Sequence, residues 1–475
     1  MSGTGSPPPA QGSARGQVVV VLVLVLLSAG ALAVAGTASR ATGVRHRSET
    51  TTTPAQRELV CPSSDTDTSS FVGLLPGTPS GGSVSAGGQP LALGAGTVER
   101  LGPPGHDPLT VTARGAATRG VFGTRAKQVG GVTRCGSPRA SWWFVGAGGS
   151  PGHFSTLELV NPRTGPAVVD LTVWGRDGQV EGAGLRGISV RRGGTRSLKL
   201  ADVAPSEGNL AVHVEASRGL VLAAVDDHAV DVRDPKAAPV EEWIPDQGNP
   251  SRHQLLSGLP PPSAQQQVGA ANPALPTGLR NGASLVIANP GGSAVVARVR
   301  LSAKDGAFTP KGLPPTQVPP QSVVSVPLGD LVADPGTAVL VDTDAPVVTG
   351  YLVPGAGDLL HAVSALPWRG PAAVALPAGG TKTLLLTALT GDGSATVTQL
   401  GPKGAQLART MVAVPGRSTI GSPLRPGTAS VVVSTGGSGG RVAGSVLVDR
   451  GSAYSALPLT PVLAALRVPE VRPAG

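Results

Sequence analysis

The sequence predicts an all-β protein: tandem immunoglobulin-like antiparallel β-sandwich modules following a single N-terminal transmembrane helix and a flexible stalk. Three observations predict it. Residues 18–36 are hydrophobic and carry no charge, runs of four to eight β-branched or aliphatic residues alternate with turn residues from Trp142 onward, and those runs recur in the same order along the chain.

The apolar run comes first in the chain. VVVVLVLVLLSAGALAVAG carries no charge over residues 18–36, and as a helix it would span about 28 Å, the thickness of a hydrocarbon core. Arg15 precedes it and no acidic residue occurs before Glu49, so export follows. Its length favours an uncleaved anchor with residues 1–17 cytoplasmic; Ala33-Val34-Ala35 offers signal peptidase a cleavage site and makes secretion the alternative. Residues 37–60, rich in Ser, Thr, Ala and Arg, read as a flexible stalk.

The 475 residues hold 68 Gly and 46 Pro, which implies many turns and several separate cores. Aromatic residues make up only 3%, which disfavours stacking platforms for sugars or single-stranded nucleic acid. The net charge of +9 comes from scattered Arg, whereas a nucleic-acid footprint needs a clustered stripe. Cys61 and Cys135 have no C-x-x-C spacing. In an oxidising compartment they are expected to form a disulfide bracketing a loosely organised β region, residues 61–141.

The repeat defines the modules. Leu157-Glu158-Leu159-Val160-Asn161-Pro162 and Leu285-Val286-Ile287-Ala288-Asn289-Pro290 each lead into an alternating strand, then a Gly-bearing hairpin, then further strands. Thr383 to Ala388 opens an eroded third copy without Asn-Pro. The boundaries follow: module 1 at 142–233, a linker at 234–254, module 2 at 255–365, module 3 at 366–462 and a tail at 463–475. About seven short strands per copy is the scale of an immunoglobulin-like sandwich.

Val60-Cys61-Pro62 after a stalk, Trp143-Phe144 after the second Cys, and the Leu-x-Leu-x-Asn-Pro modules together resemble a family of actinobacterial membrane-anchored proteins of unknown function. The resemblance covers roughly Val60 to Leu457. It implies tandem immunoglobulin-like modules outside the membrane, a strand-turn-strand hairpin at Val341 to Val348, and a role accessory to envelope glycan assembly. It carries over no catalytic residues.

Sought chemistry is sparse. Residues 148–152 and 436–440 fit G-x-S-x-G and residues 182–187 fit G-x-G-x-x-G, but none has the helix that a nucleophile elbow or pyrophosphate loop requires. His153, His213, His228 and His361 are far apart, with no zinc spacing. Asp342 and Asp344 lack the rest of a calcium loop and read as a solvated turn. Asp226-Asp227-His228 is the one compact acid–imidazole cluster, and with a distant Ser it would make a triad. The expected function is therefore a non-enzymatic scaffold or interaction protein of the cell envelope, single-pass with its C-terminal bulk extracytoplasmic. Its expected partners are the membrane through residues 18–36 and an envelope protein or glycan, with no nucleic acid, cofactor or metal. The alternative is a degenerate cell-wall hydrolase using Asp226, Asp227 and His228.

Overall fold

A computed structural model describes residues 49–469 apart from 53, 65–66, 103–105, 129, 231–238, 261–278, 280–281, 333–335, 356–357, 437–438, 452 and 463–465. The predicted membrane span lies outside the described residues. Among those described, no helix is long and apolar enough to cross a membrane. Two units result. In one, Glu49–Thr52 pairs antiparallel with Leu466–Pro469. The other is Thr53–Ala465 and is all-β.

This second unit is one two-sheet design used four times. In the copy that shows it most fully, the eight strands are Ser141–Ala147, His153–Asn161, Ala167–Gly175, Gly178–Val180, Gly194–Lys199, Leu210–Arg218, Leu222–Ala229 and Val240–Ile244. Numbered in that order, strands 1-6-3-4 form one sheet and 5-2-7-8 the other. The same order holds for the strands between Gln56 and Arg134, between Ser251 and Val363, and between Gly370 and Pro458. In an immunoglobulin constant-type sandwich the order would be 1-2-5-4 over 3-6-7, so these modules share the layering but not the topology. In each module apolar residues of both sheets meet, for example Phe144, Leu171 and Val212 with Leu157, Leu159 and Val225, because alternation along the strands turns one side chain in two inward.

Several expectations change. The segment 61–141 is the bulk of a full first module that opens with strand Gln56–Cys61, not a loosely organised region, and Cys61–Cys135 is its disulfide. All of that strand but Cys61 falls in the expected stalk 37–60. Strand Val240–Ile244 and the start of strand Ser251–Leu256 fall inside the expected linker 234–254, completing one module and opening the next. The expected hairpin at Val341 to Val348 is instead part of one continuous strand, Ala338–Gly355. Its first half pairs with Ser251–Leu256 and its second half with Ser284–Asn289, so it serves as strand 6 of one sheet and strand 7 of the other.

The Asn-Pro repeat has a local cause. Asn161 closes the turn between strands 2 and 3: its amide donates to the carbonyls of Gly165 (2.8 Å) and Val190 (3.1 Å), and its Oδ1 accepts from the N–H of Arg163 (3.0 Å). Asn289 does the same with Ser293 (2.8 Å), Pro319 (2.9 Å) and Gly291 (3.0 Å). A side-chain amide supplies both donor and acceptor to an otherwise unpaired turn.

The modules close on one another. Trp143, Val145, Val286 and Leu352 join the second to the third, Leu256 and Ile287 meet Leu385 and Leu447 between the third and fourth, and Phe71, Phe122 and Ala126 pack with Ala373 and Leu376 between the first and fourth. The eighth strand of each module touches those of its neighbours. Phe71→Ala would leave a cavity at the first–fourth seam. We expect a loss of about 3–5 kcal/mol; calorimetry of the full chain should show the β modules unfolding in one transition and the variant's in two, and the same single transition in both would count against a shared core.

Candidate functional site

Asp226, Asp227 and His228 lie on strand Leu222–Ala229, where successive side chains point to opposite faces. The triplet is therefore split between two environments.

Asp227 is fully buried at the junction of the second and third modules. His153 Nε2 (3.0 Å) and His361 Nε2 (2.8 Å) both reach its Oδ2, and the Ser155 hydroxyl donates to its Oδ1. His153 Nδ1 lies 2.7 Å from the Gly208 carbonyl, and the N–H of Gly148 donates to Ser155 Oγ (2.7 Å). Gly148 is required there, because a Cβ would come within 2.4 Å of the His153 carbonyl and 2.5 Å of its ring. Burial alone would raise the Asp227 carboxyl, but the two imidazoles outweigh it and hold it well below the carboxylate range. Burial would lower His153, and Asp227 with the Gly208 carbonyl outweighs that and raises it. Ser, His and Asp do converge here. Their order is wrong for nucleophilic catalysis, however: the hydroxyl is bonded to the carboxylate, not to an imidazole, and no solvent reaches it.

Asp226 and His228 face the other way. Lys127, from the first module, donates to Asp226 Oδ1 (2.7 Å) and Glu241 Oε2 (3.0 Å) and lies 4.8 Å over the Trp243 ring. Those two carboxylates outweigh burial and hold its ammonium above the usual range. His228 stacks on Phe154 at 5.1 Å. Beside this, Glu242 accepts from Ser455 Oγ (2.8 Å), tying the second module's eighth strand to the fourth's.

The remaining sequence candidates disperse. His213 stacks on Trp143 and contacts Ser141 Oγ. Asp342 pairs with Arg300 and His253, and Asp344 accepts from the N–H of Val296, both within a strand and not a solvated turn. Gly149–Ser150 pairs with His153 and Phe154 as a short hairpin, where a loop was expected. Residues 182–187 form a mostly exposed turn with no helix after it. Among the described residues no group of acidic, His or Cys side chains is arranged to hold a metal.

A site that the sequence did not suggest lies where the inter-module segments converge. A groove of about 470 Å³ is lined by residues of all four modules, among them Arg57, Arg134, Arg139, Trp142, Asp246 and Leu366. Arg134 and Arg139 each donate to Asp246 at 2.6 Å, and Arg139 lies 3.7 Å over the Trp142 ring. Burial would raise the Asp246 carboxyl, but the two guanidiniums hold it down.

The profile of a family of unknown function (DUF5719) matches residues 105–425, more than half of the chain, and the chain belongs to that family. No curated protein and no solved structure matches it.

Asp227→Asn would leave two imidazoles facing a neutral amide. We expect a loss of about 3–5 kcal/mol for breaking a buried pair. Because His153 is raised, its contribution is complete below about pH 6.5 and fades as pH rises through its folded value; because Asp227 is lowered, its contribution is complete above about pH 4 and fades as pH falls through its folded value. Thermal unfolding of the native chain should thus be most resistant between those limits, and Asp227→Asn should flatten the dependence. Equal pH profiles for the two would refute this assignment.

Proposed function

We propose that this member of the DUF5719 family is a non-enzymatic recognition protein of the cell envelope, held at the membrane by residues 18–36 with its β modules on the extracytoplasmic side. The observation that carries the reading is the fate of the acid–imidazole chemistry. Asp226, Asp227, His153 and His361 are spent in module junctions, His228 is stacked on Phe154 inside the second module, and Asp227 is sealed from solvent. Among the open features is the groove lined by residues of all four modules, and junctions between modules are a usual place for a ligand site. The apolar run supports the location, and the Cys61–Cys135 disulfide fits an oxidising compartment. A role accessory to envelope glycan assembly is part of the proposal and rests on the sequence resemblance.

The competing hydrolase reading makes the opposite forecast for one assay. Full-length protein incubated with isolated cell-envelope polymer should bind it saturably and release no soluble reducing ends or free amino groups. Release that disappears with Asp227→Asn, under conditions where that variant is folded, would replace this proposal with the hydrolase.

A further inference from the structure

Among the described residues, four of the buried polar atoms without a partner belong to residues that line this groove: Arg57 Nη1, Arg134 Nε, Gln247 Nε2 and Thr124 Oγ1. Buried donors are ordinarily satisfied, so a convergence of unsatisfied ones calls for an explanation. Arg57 is the most telling. It is half-buried with its Nη1 fully buried, has no carboxylate partner, and desolvation pushes its guanidinium down to about 10. Elsewhere the structure pairs its desolvated cations: Lys127 takes two carboxylates, and Arg125 takes the carbonyls of Pro62 and Asp107. An unpaired buried charge is among the most costly features a fold carries.

The chemistry of the vacant partners is one-sided. Arg57 Nη1, Arg134 Nε and Gln247 Nε2 are N–H donors, Thr124 Oγ1 is a hydroxyl able to donate, and the groove sets three guanidiniums against one carboxylate, Asp246. A ligand completing this set must present acceptors and negative charge, and forked guanidinium donors match a planar or tetrahedral oxyanion. The frame is rigid: Cys135 is tied to Cys61, and Trp142, which is 1% exposed, holds Arg139 in place.

We propose that the groove binds an oxyanion group, the carboxylate of an acidic sugar or a phosphate, seated on Arg57 with Arg134, Thr124 and Gln247 completing its hydrogen bonds. This deepens the recognition reading and rests on it.

The test is titration of the full chain with sodium glucuronate and, separately, with inorganic phosphate, against sodium chloride at matched ionic strength, read by thermal midpoint and calorimetry. One of the two anions should raise the midpoint saturably and bind at least tenfold more tightly than the other, which tells the carboxylate source from the phosphate source. Arg57→Met should raise the midpoint of the free protein, since it removes an unpaired buried cation, and should weaken binding at least tenfold; Arg186→Gln, an exposed turn substitution, should change neither. If Arg57→Met does not fold, the guanidinium NMR resonance of Arg57 in the unaltered chain must move on titration with the bound anion. Absence of saturable binding by either anion at tens of millimolar, binding unaffected by Arg57→Met, or an unmoved Arg57 resonance would each overturn the proposal. Saturable envelope-polymer binding alongside no anion binding would sink this site and leave the recognition reading standing. Anion binding alongside polymer cleavage would do the reverse.

Discussion

Burial of sheets on both faces is the constraint from which the rest of the structure follows. A lone antiparallel sandwich keeps one face of each sheet wet, yet Val121–Lys127 and Ser284–Asn289 are buried at every position. Each such sheet needs a neighbour as well as its own partner sheet, and four modules provide that by closing on one another. At the closure sits Lys127. Its ammonium is desolvated and held by Asp226 and Glu241 of the second module, while its backbone carbonyl accepts from Arg450 of the fourth (2.7 Å). Three modules thus meet on one residue.

That closure also explains where polar chemistry is and is not available. Asp227 with its imidazoles, Lys127 with its carboxylates, and the Ser302–Thr419–Thr387 hydroxyl chain between the third and fourth modules are internally satisfied and work as joints. Satisfied buried networks fix one arrangement among many compact alternatives. The groove differs in kind, since its donors outnumber its acceptors and one of its cations has no counter-charge.

The layered all-β architecture and the central repeat were legible in sequence because alternation and Asn-Pro leave strong local patterns. The first module was not. It lacks Asn-Pro, its strands are short, and its fully buried strand Val121–Lys127 contains Arg125 and Lys127, which only partners from elsewhere in the chain make tolerable. Val240–Ile244 was hidden likewise, since Glu241 and Glu242 suggest a solvated linker until Lys127 and Ser455 are placed against them. The imidazole junction hydrogen-bonds Asp227 to a residue 134 positions away, beyond any spacing rule. The split of Asp226 from Asp227 was nevertheless readable, because adjacent residues of a strand cannot serve one site. Arg57 falls in the expected stalk, and nothing in its immediate sequence marks it as part of a folded module.

The central claim is closure of the four modules, and one amide reports on it directly. Val98 stands on the outer edge of the first module's sheet, and its N–H donates to the Pro402 carbonyl of the fourth module (2.9 Å). Hydrogen exchange of the full chain at that amide is the most direct measurement. Closure predicts protection comparable to the core strands, because the bond opens only when the seam does. Exchange as fast as that of an exposed edge strand would contradict it.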